Sequence, residues 1–182
     1  MKGSPDQKKR KSDRKEFFLL LFSMWILWAW PAAAETNALF TPEANIQETL
    51  LRELESTAST LELAIHDVTS PEMARALVKT KQRGVKIRVI ADSRQSKLKA
   101  SQITYLIQQG IQVKVLGGKE KGVMNHRFGI FDGKKVITGS YDWSKASGKW
   151  NYEHILVLEG SDVVASFQEE FDRLWREKRV IQ

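Results

Sequence analysis

A chain of 182 residues is long enough for one domain with its own core and a short appendage. It contains no cysteine, which excludes disulfides, zinc–thiolate sites and a cysteine nucleophile. The net charge of +7 is unevenly spread: residues 1–34 carry seven Lys/Arg against three acids, and the rest, with 22 basic and 19 acidic residues, is too near neutral to argue for a polyanion partner by itself.

Residues 1–16 are polar and basic. Phe17 to Trp30 is a run of 14 residues, apolar except for Ser23, broken by Pro31 and followed by Ala32-Ala33-Ala34. A basic region, a short apolar stretch and an Ala-x-Ala site form the pattern of a secretory signal peptide. The run falls short of the about 20 apolar residues that a membrane-spanning helix needs. The expectation is export to the periplasm or medium, with cleavage after Ala34 and a mature domain at 35–182; an uncleaved membrane anchor at residues 17–34 is the alternative.

Beyond Thr41-Pro42, Ile46, Leu50, Leu51 and Leu54 recur at helical spacing and predict a helix over Ala44–Leu54. Leu61–Ile65 alternates as a strand does. Ser70 is a suitable N-cap and Pro71 suits the first helical position, so a second helix is predicted from there to Gly84. Val85–Ala91 reads as a strand, Ser101–Gln109 as a helix stopped by Gly110, and Ile111–Leu116 as a third strand. Gly117–Val123 is a loop rich in Gly and Lys. Arg127–Phe131 and Val136–Gly139 flank Asp132-Gly133-Lys134, a strong hairpin signal. His154–Leu158 is a further strand, and Ser161–Arg176 a final helix with Val164, Phe167, Phe171 and Leu174 on one face. Strands alternating with helices around a hairpin predict an α/β domain whose mixed sheet is flanked by helices.

The chemistry-bearing stretch is Met124-Asn125-His126-Arg127-Phe128-Gly129-Ile130-Phe131-Asp132, followed by Gly139-Ser140-Tyr141-Asp142-Trp143-Ser144 and Asn151-Tyr152-Glu153. It resembles the HKD signature of the phospholipase D-like superfamily: His-x-Lys, four residues, Asp, six residues, Gly-Ser, then an Asn and a downstream Glu. The spacing agrees, with four residues between Arg127 and Asp132 and six between Asp132 and Gly139. The resemblance runs over residues 40–177 and takes in Ser70-Pro71-Glu72, Arg83-Gly84-Val85, Ala91-Asp92-Ser93 and Ile137-Thr138-Gly139-Ser140. In pattern the chain is similar to the single-motif members, the small bacterial nucleases and the mitochondrial cardiolipin hydrolase type.

That resemblance implies a phospholipase D-like fold that homodimerises so that two motifs meet. In the family's scheme one His attacks phosphorus and the other protonates the leaving oxygen. Lys and Asn hold the phosphate oxygens, Glu orients the nucleophile, and no metal or other cofactor is implied. Carried over residue by residue, the nucleophile's place falls at Asn125, the Lys at Arg127 and the Asn after Gly-Ser at Asp142, while Asp132, Ser140, Asn151 and Glu153 match. The expected catalytic set is thus Asn125, Arg127, Asp132 and Glu153, and the expected phosphate-binding set Arg127, Ser140, Asp142 and Asn151.

The departures have chemical consequences. The carboxamide nitrogen of Asn125 is delocalised, so it is neither a nucleophile nor an acid near neutral pH. Arg127 keeps the charge and grips phosphate with a differently shaped group. Asp142 adds negative charge where a neutral amide is expected. His126 points to the opposite face of a strand from residues 125 and 127 and reaches the site only through a one-residue slip. His66, in Ile65-His66-Asp67, ends a strand where α/β sites often lie; His154 reads as structural. Trp143 and Trp150 are expected to pack in the core in preference to stacking on bases or lying on lipid. Lys119, Lys121, Lys134, Lys135, Lys145 and Lys149 are expected around the site.

The function implied is a phosphodiesterase acting on phospholipid or nucleic acid, impaired at Asn125. The alternative is an inactive phosphodiester-binding or partner-binding protein on the same scaffold. A homodimer is expected, and a heterodimer with an intact-motif relative would supply the missing histidine.

Overall fold

The computed structural model describes residues 36–178. The leader expected at residues 1–34 lies outside them. The described chain runs β1 (Thr36–Phe40), α1 (Ile46–Ser56), β2 (Thr60–Ile65), α2 (Pro71–Gln82), β3 (Lys86–Asp92), a 3₁₀ turn (Gln95–Lys97), α3 (Ile103–Gln108), β4 (Gln112–Leu116), β5 (Arg127–Phe131), β6 (Lys135–Gly139), β7 (His154–Glu159) and α4 (Ser161–Arg176).

The seven strands form one sheet in the order β1-β7-β6-β5-β2-β3-β4. β2, β3 and β4 are mutually parallel; the other neighbouring pairs are antiparallel. This is the mixed sheet expected. The parallel connections need crossovers, which α2 and α3 supply, whereas β5 and β6 need only the three-residue connection Asp132-Gly133-Lys134. That turn has φ of 53° at Asp132 and 63° at Gly133, closed by Lys134 N–H donating to Phe131 O at 3.0 Å. Positive φ at both central residues matches the right-handed twist of the strands, and Asp-Gly tolerates it at low cost.

Strand alternation sends side chains into two cores. Leu61, Leu63 and Ile65 of β2, with Val89 of β3 and Phe131 of β5, pack against Ile46, Leu50 and Leu54 of α1, Met73 and Leu77 of α2, and Leu106 of α3. Ala64, Ile90, Phe128, Ile130 and Val136 point the other way, onto Val164 and Phe171 of α4. Three helices therefore cover one face and α4 the other. Ser70 caps α2 as anticipated, its Oγ accepting from Met73 N–H at 3.4 Å.

β1 is an element that the sequence reading lacked. Its five residues are almost all exposed, so no buried period betrays them. They form a strand because β7 offers an open edge, in the register Thr36↔Leu158 through Phe40↔His154.

Candidate functional site

Pairing register brings together one end of the sheet. Ile65 at the end of β2 faces Arg127 at the start of β5, and Gly139 at the end of β6 faces Ile155 in β7. The chain segments at 66–70, 124–126, 140–143 and 147–153 therefore gather at that end. Gly139 permits the approach: a Cβ there would lie 2.2 Å from the His154 carbonyl oxygen, inside any allowed contact.

Two polar clusters form, joined by the loop after β6. In the first, Arg127 Nη1 donates to Asn125 Oδ1 at 3.0 Å, and Arg127 Nε lies 2.8 Å from Asp142 Oδ2. The second contact is an ion pair without hydrogen-bond alignment, since Nε is buried and its N–H finds no acceptor in line. Asp142 Oδ1 accepts the Asp67 backbone N–H at 3.2 Å. The Asp67 carboxylate keeps one buried oxygen, Oδ1, without a partner, and Oδ2 accepts from Thr69 Oγ1 at 3.3 Å. Burial, and then the neighbouring Asp142 charge, push the Asp67 carboxyl above its ordinary range. Two carboxylates thus converge on one guanidinium.

The second cluster centres on Glu153. Its Oε2 accepts from Ser140 Oγ, and its Oε1 accepts from Ser147 Oγ at 3.1 Å and Asn151 Nδ2 at 2.9 Å. The Ser140 hydroxyl in turn accepts the His154 N–H at 3.1 Å. Thr41 closes the ring from behind: its Oγ1 accepts from Glu153 N–H at 2.7 Å and donates to Asn151 O at 2.8 Å.

The segment carrying Asn125 is fixed from below. Asp92, fully buried at the end of β3, accepts Met124 N–H on Oδ2 at 2.9 Å and the N–H groups of Arg94 and Gln95 on Oδ1. His66 Nδ1 lies 3.1 Å from the Met124 carbonyl, so that nitrogen carries the proton and donates. His126 sits on the α4 face, with Nε2 3.3 Å from Glu170 Oε1 and its ring edge-on to Phe128. It is therefore turned away from Arg127 and Asn125, as strand alternation requires.

Of the residues singled out by sequence, Asn125, Arg127 and Asp142 meet in one cluster and Ser140, Asn151 and Glu153 in the other. Asp132 joins neither. It occupies the hairpin turn at the far end of β5, roughly 16 Å of extended strand away. There its carboxylate accepts from the N–H groups of Ala58, Ser59 and Thr60 and from Ser59 Oγ, which lower its pKa to about 2. Lys134 and Lys135 share that far end, and Lys135 pairs with Glu53 and Glu159, so the expected basic surround is smaller than six lysines. Trp143 is core, 4% exposed, but Trp150 is 75% exposed and does not pack as expected. Asp67, Asp92, Ser147 and Thr41 were not anticipated. Asp67 and Asp92 close strands β2 and β3, and an Asp just past a parallel strand is the signal that would have found them.

The fold and the sequence have known relatives. A sequence profile of the family described as cardiolipin synthase, PLD-like domain, matches residues 50–175. The chain is 41% identical over 128 residues to the mitochondrial cardiolipin hydrolase of Mus musculus, covering 70% of this chain and 57% of that protein. It is 26% identical over 134 residues to a phospholipase D of Rickettsia conorii, covering 74% and 66%. Among solved structures, NucT from Helicobacter pylori superposes with a TM-score of 0.71 at 25% identity, over 77% of this chain and 94% of NucT. Nuc from Salmonella typhimurium, a phospholipase D family member, gives 0.73 at 24% identity, over 80% and 97%. The chain thus spans little more than half the length of the cardiolipin hydrolases it matches.

Proposed function

The chain belongs to the family of phospholipase D-like domains, and from that premise we propose that it is a phosphodiester-directed protein whose hydrolytic step is impaired at position 125. Its ligands are phosphodiesters of phospholipid or nucleic acid. The observation that carries the reading is Asn125, hydrogen-bonded to Arg127 at the place where family chemistry requires an imidazole. A carboxamide offers neither a nucleophilic nitrogen nor a transferable proton. The surrounding parts remain suited to a phosphate: Arg127 and Asn151 as donors, Ser140 as a hydroxyl, and Glu153 to orient an imidazole.

A second reading is favoured by the Arg127–Asp142 pair. An entering phosphate must compete with a carboxylate 2.8 Å from Nε, which weakens anion binding as well as chemistry. On that reading the scaffold serves binding of a partner. Assembly is part of the proposal: one motif per chain supplies half a site, so two chains pair about a two-fold axis, or this chain pairs with an intact-motif relative. Export is part of it too, and mass analysis of the expressed protein should find Glu35 at the N-terminus.

The deciding experiment is hydrolysis of bis(p-nitrophenyl) phosphate. The natural chain should be very slow. Asn125→His with Arg127→Lys, aided by Asp142→Asn, should raise the rate by at least about 10²-fold. After quenching, the introduced histidine should carry an acid-labile phosphate. Brisk turnover by the natural chain that His126→Ala abolishes would make His126 the nucleophile. A revertant that stays inert while binding phosphate would make the chain a phosphodiester binder whose loss runs deeper than position 125, and one that neither turns over nor binds phosphate would favour the second reading.

A further inference from the structure

The Arg127 cluster holds more negative charge than an anion site can use. Two carboxylates, Asp67 and Asp142, stand around one guanidinium, so with both ionised the cluster is negative by one charge. Arg127 Nε is taken by Asp142 Oδ2 at 2.8 Å and Nη1 by Asn125 Oδ1 at 3.0 Å. Among the described residues no acceptor engages Nη2, and the side chain is 22% exposed. An anion therefore has a nitrogen to bind, but it arrives beside two charges of its own sign. In a part-buried site that repulsion is on the scale of the charge-assisted hydrogen bonds it opposes.

The two carboxylates are unequal. Both oxygens of Asp142 are engaged, Oδ2 with Arg127 and Oδ1 with the Asp67 backbone N–H at 3.2 Å. Asp67 forms no ion pair with the guanidinium; its Oδ1 is buried without a hydrogen-bond partner, and its Oδ2 accepts from the Thr69 hydroxyl at 3.3 Å. The charged and titratable groups facing it are Asp142 in the loop after β6, Arg127 at the start of β5 and His66 beside it in the chain. His66 is tied down, with Nδ1 3.1 Å from Met124 O. Burial first, and Asp142 second, already raise the Asp67 carboxyl above its ordinary range. A second anion on Arg127 adds to the same repulsion, and a neutral carboxyl loses far less on burial than a carboxylate. Asp67, with its bare oxygen, is thus where the cluster gains a proton when an anion enters.

We propose that anion binding at Arg127 is coupled to protonation of Asp67: the site takes up a phosphodiester and a proton together, so acid strengthens it and neutral pH weakens it. The inference rests on the phosphodiester reading above and names the regulation of that site. In the free chain Asp67 is ionised at neutral pH, and in the bound chain it is protonated. Affinity therefore rises as pH falls, and levels off once the free chain is protonated as well. One whole proton sets a ceiling of about 10-fold per pH unit.

The test is calorimetric titration of the full chain with sodium sulfate, a dianion whose own charge stays constant, at fixed ionic strength between about pH 7 and about pH 5. Binding should tighten by about 3–10-fold across that interval, and titrations in two buffers of different ionisation enthalpy should count up to one proton taken up per sulfate. Asp67→Asn should flatten the profile and bind at neutral pH about as tightly as the natural chain does in acid. Asp142→Asn should shrink the slope as well, and it tests the same charge balance without touching Asp67. His66→Gln should leave the slope in place. A slope that survives Asp67→Asn and disappears in His66→Gln overturns the proposal and makes the imidazole the seat of the proton. Sulfate binding that is flat in pH overturns the coupling and leaves the phosphodiester reading standing. Failure to bind sulfate and bis(p-nitrophenyl) phosphate at every pH in the range overturns both.

Discussion

The two ends of the β5–β6 hairpin are built to opposite standards. At the turn end, every oxygen of the Asp132 carboxylate is used: three backbone N–H groups and one hydroxyl converge on it, and its pKa falls to about 2. At the other end, Arg127 Nε and Asp67 Oδ1 are buried without hydrogen-bond partners, and the Asp67 carboxyl is pushed up. One end satisfies its polar groups and holds β2 to the hairpin. The other leaves groups unsatisfied, which is how ligand sites differ from scaffold.

The sharpest way to break the comparison is Asp132→Ala. It strands the N–H groups of Ala58, Ser59 and Thr60 and puts a Cβ-bearing residue with no local hydrogen bond at φ 53°. Urea denaturation should show a loss of about 2–3 kcal/mol. The pH dependence should follow. A carboxylate whose folded pKa lies below its ordinary 3.8 stabilises the fold above that value and loses the contribution as pH falls towards about 2. Asp132→Asn should flatten that acid limb.

Arg127→Ala comes next and should leave stability less affected than binding. Vanadate affinity should fall by roughly 1–3 kcal/mol, the scale of a charge-assisted hydrogen bond. Asp142→Asn should move it the other way, by roughly 0.5–1 kcal/mol, because it removes the competing charge while keeping an oxygen for the Asp67 N–H. Unchanged affinity in both variants would mean that this guanidinium does not hold the anion.

The smallest effect is expected at Asp67. Its raised pKa means that the folded state binds the proton more tightly, so stability is lost as pH rises from the ordinary carboxylate value through the folded one. Asp67→Asn should therefore stabilise the chain at neutral pH, by up to about 1 kcal/mol, and remove that slope. A destabilised Asn variant would show that the charge at Asp67 serves the fold, and the contrast between the two ends would fail.

This contrast also explains what could be read from the linear order. Helices α1 to α4 and strands β2 to β7 were legible because each buries a face with its own period or carries its own cap, stop or turn. β1 was not, because its strand character comes from a partner more than a hundred residues away. The motif's internal spacing misled in one respect. Four residues between Arg127 and Asp132 span a strand, so spacing that looks compact in sequence runs from one end of the sheet to the other. Lys134 and Lys135 went astray for the same reason. Trp150 was misplaced because its neighbour in the motif loop, Trp143, does belong to the core.

Asp92 has a consequence in time as well as in space. The Met124 amide belongs to no ladder, yet it donates to a carboxylate that is fully buried. Its proton can meet solvent only when the end of β3 lets go, so it should exchange with deuterium on the slow schedule of the parallel strands and not at the pace of a surface segment. Residue 125 then inherits the timekeeping of β3: whatever binds there meets a floor that stays put between openings.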